Sequence, residues 1–530
     1  FNWAAYRGGS LIITLRMKYK ITQKIRVVLS LFFLFLTYCV QAQVSDSLRV
    51  LMHGEIDCVA NLIRQNSIDP FRGISEAVWK EELKSIHQSV DRCATKREYY
   101  FLLRRFGGLI NDAHFEFPSG GAYNRTRIFK KDDLLFPVWV RVWNDGRVFV
   151  KSDLTNTIPN NSEIISINGK NAQCLALDMR HIEPSEEQYA KYRGNSVEMV
   201  DPYLWNSFID YLFCERIVAP FKVEYETEGV RKTTVLQGKA RLDYQEWYDN
   251  GVGKEIMEKD SPIYYFTKLG KDAVSYDIVQ DSIAVVKISS WIGSNILRMA
   301  IAKGDPGFRK KITQVMKDVI QKDYPVLIVD IRGNIGGYEG NVIELLHYFI
   351  DDPLRESDMY RVYPDSRKYV KRLLKKSYST LSKAQRKENY RVFEKTPNGA
   401  LFRSDTLAPV YYPSAKRQNK YKGEVYVLVD EGSYSASIMF AAIMKKMNAG
   451  KIAGVSPGGY SLVTSGNVIT KALPFTKYFN IDIPFAANAN QEQGYHYIDV
   501  DIPLMPSLEL WKEETFDSME SLLLYINNSN

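Results

Sequence analysis

From Ile283 to Val455 the chain alternates strand patterns with helix patterns, and no other feature restricts its fold so severely. "SIAVVKISSW" reads as a strand, "FRKKITQVMKDVIQKD" as an amphipathic helix and "PVLIVDI" as a buried strand. "GNVIELLHYFI" follows as a helix, then "VYVLVD" as a strand, "SASIMFAAIMKKM" as a helix and "KIAGV" as a strand. Segments of that length between strands make crossovers rather than hairpins, and right-handed crossovers build a mostly parallel sheet. Sites in such a sheet gather beyond the carboxyl ends of the strands. Two loops lie there: "DIRGNIGGYEG" (Asp330 to Gly340) and "DEGSYSAS" (Asp430 to Ser437).

A glycine-rich loop after a buried strand first suggests phosphate. The dinucleotide fingerprint needs Gly-x-Gly-x-x-Gly, and here Gly333 is followed by Asn334, Ile335, Gly336 and Gly337. The P-loop needs Gly-Lys-Ser/Thr, and Tyr338 stands in its place. What the glycines still offer is backbone N–H groups that a ligand can approach with no Cβ in the way. In the second loop Ser433, Ser435 and Ser437 crowd the start of a helix, where serine commonly caps orphan N–H groups. A serine at a helix start beside bare N–H groups is also what acyl transfer requires, because such donors stabilise the oxyanion. The Gly-x-Ser-x-Gly elbow of an esterase is absent, since Ser433 and Ser437 occupy both glycine positions.

Upstream, Val44 to Gly108 repeats its apolar residues at helical spacing, whereas Phe136 to Gly238 breaks into short β-branched runs with turn signals such as Asn144-Asp145-Gly146. Residues 1–16 read as extra leader. From Met17 a basic stretch, an apolar core and Val40-Gln41-Ala42 read as a signal peptide ending at Ala42, so the protein is expected to be exported, to a periplasm, the cell envelope or beyond. No later segment is apolar enough to span a membrane. The formal charge is +8 overall. Six Lys/Arg and no acid fall in residues 1–42, leaving the remainder near +2, which argues against nucleic acid as a partner. That remainder is uneven, for Arg361 to Lys422 holds 17 Lys/Arg against 4 Asp/Glu. Such a run is a solvated helical face or a lid for carboxylate-ended substrate. Export permits disulfides, and spacing favours Cys58 with Cys93 and Cys174 with Cys214, although four cysteines allow three pairings. The six histidines are scattered, so neither structural zinc nor metal catalysis is expected, and no cofactor is needed.

"VDIRGNIGG" followed about a hundred residues later by "EGSYSAS" resembles the serine peptidase family of C-terminal processing proteases and tricorn protease. The resemblance implies a multidomain α+β chain in the family's order. Residues 43–115 would be a helical domain, 116–245 a PDZ-like β-rich module able to add an extended peptide as a strand, and 246–515 an α/β catalytic domain of ClpP/crotonase-like type. The last would carry a basic insert at 358–422 and be followed by a tail at 516–530. It further implies a peptide or protein substrate, Ser435 as nucleophile, and an oxyanion hole from the N–H of Ala436 with that of Gly336 or Gly337. Where one branch of the family carries a dyad lysine, this chain has Tyr460, and Lys445, Lys446 and Lys451 read as surface. The tricorn-like branch uses a histidine at the helix-to-strand step, here His114, with its orienting serine replaced by Ala113; it also uses a glutamate, as orienter or polariser, seven residues ahead of a Pro-Asp pair, and Ile498-Asp499 stands in place of that pair here, which selects Glu492. The losses at Tyr460 and Ala113 also fit a second reading, a peptide-binding protein on a peptidase fold.

Overall fold

The structure is a computed structural model. It describes residues 45–529 apart from 120–127, 129, 131, 183, 196–197, 201–202, 206, 241–272, 294–304, 352, 413–418, 462–463 and 489–494. The leader and signal peptide of residues 1–42 lie outside the described residues, as does Glu492.

Three helices open the described chain: α1 (Asp46–Asn66), α2 (Glu76–Arg92) and α3 (Lys96–Gly107). Ser45 and Ser75 cap the first two, and Thr95 with Glu98 forms a reciprocal capping box on the third, so each start satisfies its own orphan N–H groups. Their apolar faces bury Trp79, Tyr99, Tyr100 and Phe106 together with Leu473, Phe479, Ile481 and Ile483 from the far end of the chain. Strand β1 (Glu116–Ser119) follows and pairs antiparallel with Asn480–Pro484, placing Glu116 opposite Asp482. The helical unit is therefore bound to the C-terminal third by both packing and backbone pairing.

Residues 138–236 form a separate six-stranded sheet whose pairings are all antiparallel, covered by helices Ala172–Met179 and Ser207–Cys214. Helix α4 (Glu187–Asn195) leaves this unit, and Tyr189 and Tyr192 pack against the core of the next.

That next core is a six-stranded sheet in the order Val274–Val279, β2 (Ile283–Ile288), β3 (Val326–Asp330), β4 (Glu424–Val429), β5 (Lys451–Gly454), Ile502–Pro503. Its first pair is antiparallel and the others are parallel. Every residue of β3 is buried, as is each from Val425 to Val429 in β4, which explains their unbroken apolar sequences: helices cover both faces of such strands. The covering helices include α5 (Pro306–Gln321), started by an Asp305 cap and Pro306, α6 (Glu339–Leu346) and α7 (Ala436–Lys446). Between β3 and β4 the basic insert folds around Val362, Val370, Leu374, Tyr378, Phe393 and Phe402. Lys368, Lys371, Arg372, Lys375, Lys383 and Lys387 are exposed on the outside of its two helices. The next strand after β5 that bears on the site is β6 (Asn480–Pro484), the partner of β1.

One expectation is corrected. Cys58, Cys93, Cys174 and Cys214 are all free. Cys93 is buried in the helical core, Cys174 is exposed on its helix and the Cys214 thiol points to Asp210, so sequence spacing did not translate into facing thiols.

Candidate active site

Strands β3 and β4 are neighbours in parallel, so the loops that follow them meet. The three serines of the second loop do three different things. Ser433 Oγ donates to the Ile331 carbonyl (2.8 Å) and accepts from the Asp430 N–H (3.1 Å), tying the two loops together. Ser437 Oγ donates to the Asn334 carbonyl (2.7 Å) and accepts from the Trp291 indole N–H (2.8 Å). Ser435 precedes the first residue of α7 but makes no capping hydrogen bond. Its φ of +54° and ψ of −113° form a strained elbow that a non-glycine residue adopts only when its surroundings impose it. The elbow lifts Oγ away from the helix. Against it lies Gly336, where a Cβ would fall 2.7 Å from the Ser435 Cβ, so this position has no room for a side chain.

The Gly336 N–H is taken by Asn334 Oδ1 at 3.0 Å. Among the described residues, the N–H groups of Gly337 and Ala436 have no protein acceptor. Gly337 has φ +141°, and a Cβ there would meet the Trp291 backbone at 2.9 Å.

His114 arrives from the other end of the molecule. Strand β1 begins two positions after it, and the pairing of β1 with β6 fixes the approach. Its Nε2 stands 3.1 Å from Ser435 Oγ, across 321 positions of sequence. On the far side of the ring, Nδ1 is 3.1 Å from Thr464 Oγ1, and that hydroxyl donates to Asp112 Oδ1 at 2.7 Å. A hydroxyl has one proton; with that proton on Asp112, Thr464 can only accept from the ring. Nδ1 is therefore the protonated nitrogen of neutral His114, and Nε2 presents its lone pair to Ser435. Asp112 Oδ1 also accepts the His114 backbone N–H (3.0 Å), and Asp112 Oδ2 faces the Arg72 guanidinium at 3.8 Å. Burial lowers the His114 pKa below its ordinary value; Asp112 works against that shift and Arg72 adds to it.

The structure thus brings Ser435, His114, Gly336, Gly337 and Ala436 together. Tyr460 is elsewhere occupied: the Arg72 guanidinium lies over its ring and over that of Tyr495, 5.0 and 5.1 Å from the centroids. Lys445 Nζ is held by the Asp499 carbonyl and Asp501 Oδ1, and Lys451 Nζ by Glu424. Asp112 and Thr464 escaped sequence reasoning. Asp112 left a trace, since an Asp two residues before His114 is the signature of a side chain bonding its own backbone ahead. Thr464 left none. Among the described residues no group of three or more His, Cys, Asp or Glu is placed to hold a metal.

Residues 282–488 match the model of peptidase family S41. No curated protein matches the chain in sequence. Among solved structures, the chain is similar to mature CPAF at 12% identity with TM-score 0.57, covering 91% of this chain and 98% of that one. It is also similar to mature CPAF complexed with lactacystin at 12% identity with TM-score 0.53, covering 91% and 99%.

Proposed function

We propose that this chain, whose residues 282–488 match the model of peptidase family S41, is a serine-type peptidase acting on protein or peptide, with Ser435 as its nucleophile and His114 as its general base. The single observation that carries this is the 3.1 Å approach of His114 Nε2 to the oxygen of a serine held in a strained elbow. Hydrogen-bond reach and a neutral imidazole are what a general base needs.

In this reading Nε2 takes the Ser435 proton as Oγ attacks the scissile carbonyl. The oxyanion forms between the N–H groups of Gly337 and Ala436, which have no protein acceptor among the described residues. Gly336 serves instead by leaving space for Ser435, because its own N–H is spent on Asn334. The imidazolium then gives its proton to the leaving amine, and the same nitrogen activates the water that hydrolyses the acyl-enzyme. While the imidazolium exists, Asp112 stabilises it through the Thr464 hydroxyl. That is the orienting part expected of Glu492 and, in relatives, of the serine replaced by Ala113. Glu492 is proposed in the other part the resemblance allows it, that of polarising the site.

Residues 116–245 are proposed as the PDZ-like module that presents an extended peptide. The sheet from Val274 to Pro503 is proposed as the ClpP/crotonase-like catalytic body, and the sequence from Met17 as an export signal. Labelling with a fluorophosphonate, with the modified peptide mapped by mass spectrometry, tests the assignment. Modification at Ser435 that is lost in His114→Ala is the expected result. A folded protein that is not modified would instead favour the peptide-binding reading.

A further inference from the structure

The residues immediately before His114 and Ser435 are joined by a third party. One oxygen of Glu186, Oε2, receives the Tyr434 hydroxyl at 2.8 Å and the Ala113 backbone N–H at 3.3 Å. The same Ala113 N–H reaches the Tyr434 oxygen at 3.2 Å, closing a three-membered ring of contacts. The other oxygen, Oε1, is held by Arg72 at 2.8 Å, and Arg72 also faces Asp112, the end of the His114 relay. Glu186 has no exposed surface and Arg72 has 3%. The ring of Tyr434 is fixed in turn by stacking on Tyr189 at 4.2 Å and by its contact with the His114 ring at 5.3 Å.

Structural support alone is a weak account of this cluster. Two carboxylates share one guanidinium, which leaves a buried excess of negative charge, and buried ion clusters seldom add to stability over an apolar packing. Burial and the neighbouring Asp112 push Glu186 up to about 7 against the opposing pull of Arg72 and Tyr434. Arg72 loses solvation, yet Glu186 and Asp112 hold its pKa above the usual value. What the arrangement does provide is register. Ala113 and Tyr434 lie 321 positions apart, and a shift of either moves the adjoining His114 or Ser435.

Resting on the assignment of Ser435 and His114 above, we propose that Glu186 is a positioning residue. Its Oε2 clamps Ala113 to Tyr434 and so sets the distance between base and nucleophile. The chain before α4 thereby supplies a part of the site without touching substrate. A misplacement of about 1 Å costs on the order of 10²-fold in rate.

The test is fluorophosphonate labelling kinetics on the full chain, separating the maximal rate of inactivation from the half-saturating concentration. Glu186→Gln and Tyr434→Phe are each expected to lower the maximal rate on the order of 10- to 10²-fold with the half-saturating concentration unchanged. The double variant is expected to fall no further than the worse single, because both remove one clamp. A maximal rate at the wild-type level in both folded single variants overturns the proposal, as do losses that multiply in the double variant. Should Glu186→Gln fail to fold, Tyr434→Phe, which removes only a hydroxyl, decides alone. If wild-type protein is not labelled at Ser435, the active-site assignment fails first, an outcome distinct from a labelled wild type with unaffected variants.

Discussion

Ser435 and His114 meet in one hydrogen bond but are held there by opposite means. Ser435 stands on a local device: strand β4, a short turn and helix α7, all within about twenty residues, with the Gly336 loop of the adjoining strand beside it. His114 stands on a distributed one. Its strand pairs with β6, its ring leans on Thr464, its neighbour is clamped by Glu186 and Tyr434, and Asp112 faces Arg72. A local device is set by short-range sterics and survives small shifts elsewhere. A distributed device is only as accurate as the docking of all the segments that compose it.

Substitutions can break that contrast, beginning with the largest effect. Ser435→Ala removes the proposed attacking atom, and hydrolysis should fall about 10⁶-fold while the melting temperature stays within a few degrees; an unchanged rate would sink the assignment. Gly336→Ala forces a methyl against the Ser435 Cβ and should cost on the order of 10²- to 10³-fold, comparable with loss of an oxyanion donor. On the distributed side, Thr464→Val keeps the shape but severs His114 from Asp112. A drop on the order of 10²-fold is expected, with Thr464→Ser restoring most of it because the hydroxyl returns. Equal rates for the Val and Ser variants would show that the relay does nothing.

Acid should also distinguish the two sides. A general base works unprotonated, and the His114 pKa is lowered chiefly by burial, so the rate of labelling should rise with pH through a midpoint below that of a solvated imidazole. A midpoint above the ordinary 6.5 would contradict the burial seen here. The smallest effect on chemistry is expected from the insert. Leu374→Ala empties a fully buried site and should destabilise by about 2–5 kcal/mol, read by thermal melting, yet leave the labelling rate of folded protein intact.

The same contrast explains what the sequence disclosed. Everything local was legible: alternating strands and helices, the glycine loop, three serines at one helix start. Even there, only the structure could divide the serines into two ties and one elbow, because which hydroxyl finds a carbonyl depends on the neighbouring strand. His114 was reached only through the family resemblance, which puts a histidine at the helix-to-strand step. Arg72, Glu186 and Thr464 were not reached, since a polar residue that meets its partner only after folding looks like any surface residue. The disulfide expectation failed for the converse reason: closeness along the chain is no measure of how two thiols face.

The separation of 321 positions between His114 and Ser435 also sets a clock. A ribosome adds about 5–20 residues each second, so the histidine is made roughly 20–60 s before the serine, and Thr464 later still. Through that interval the growing chain holds an imidazole with no hydroxyl to activate. On the reading proposed above, the newborn polypeptide would be harmless to its neighbours until the C-terminal third is complete and has closed back upon the first helices.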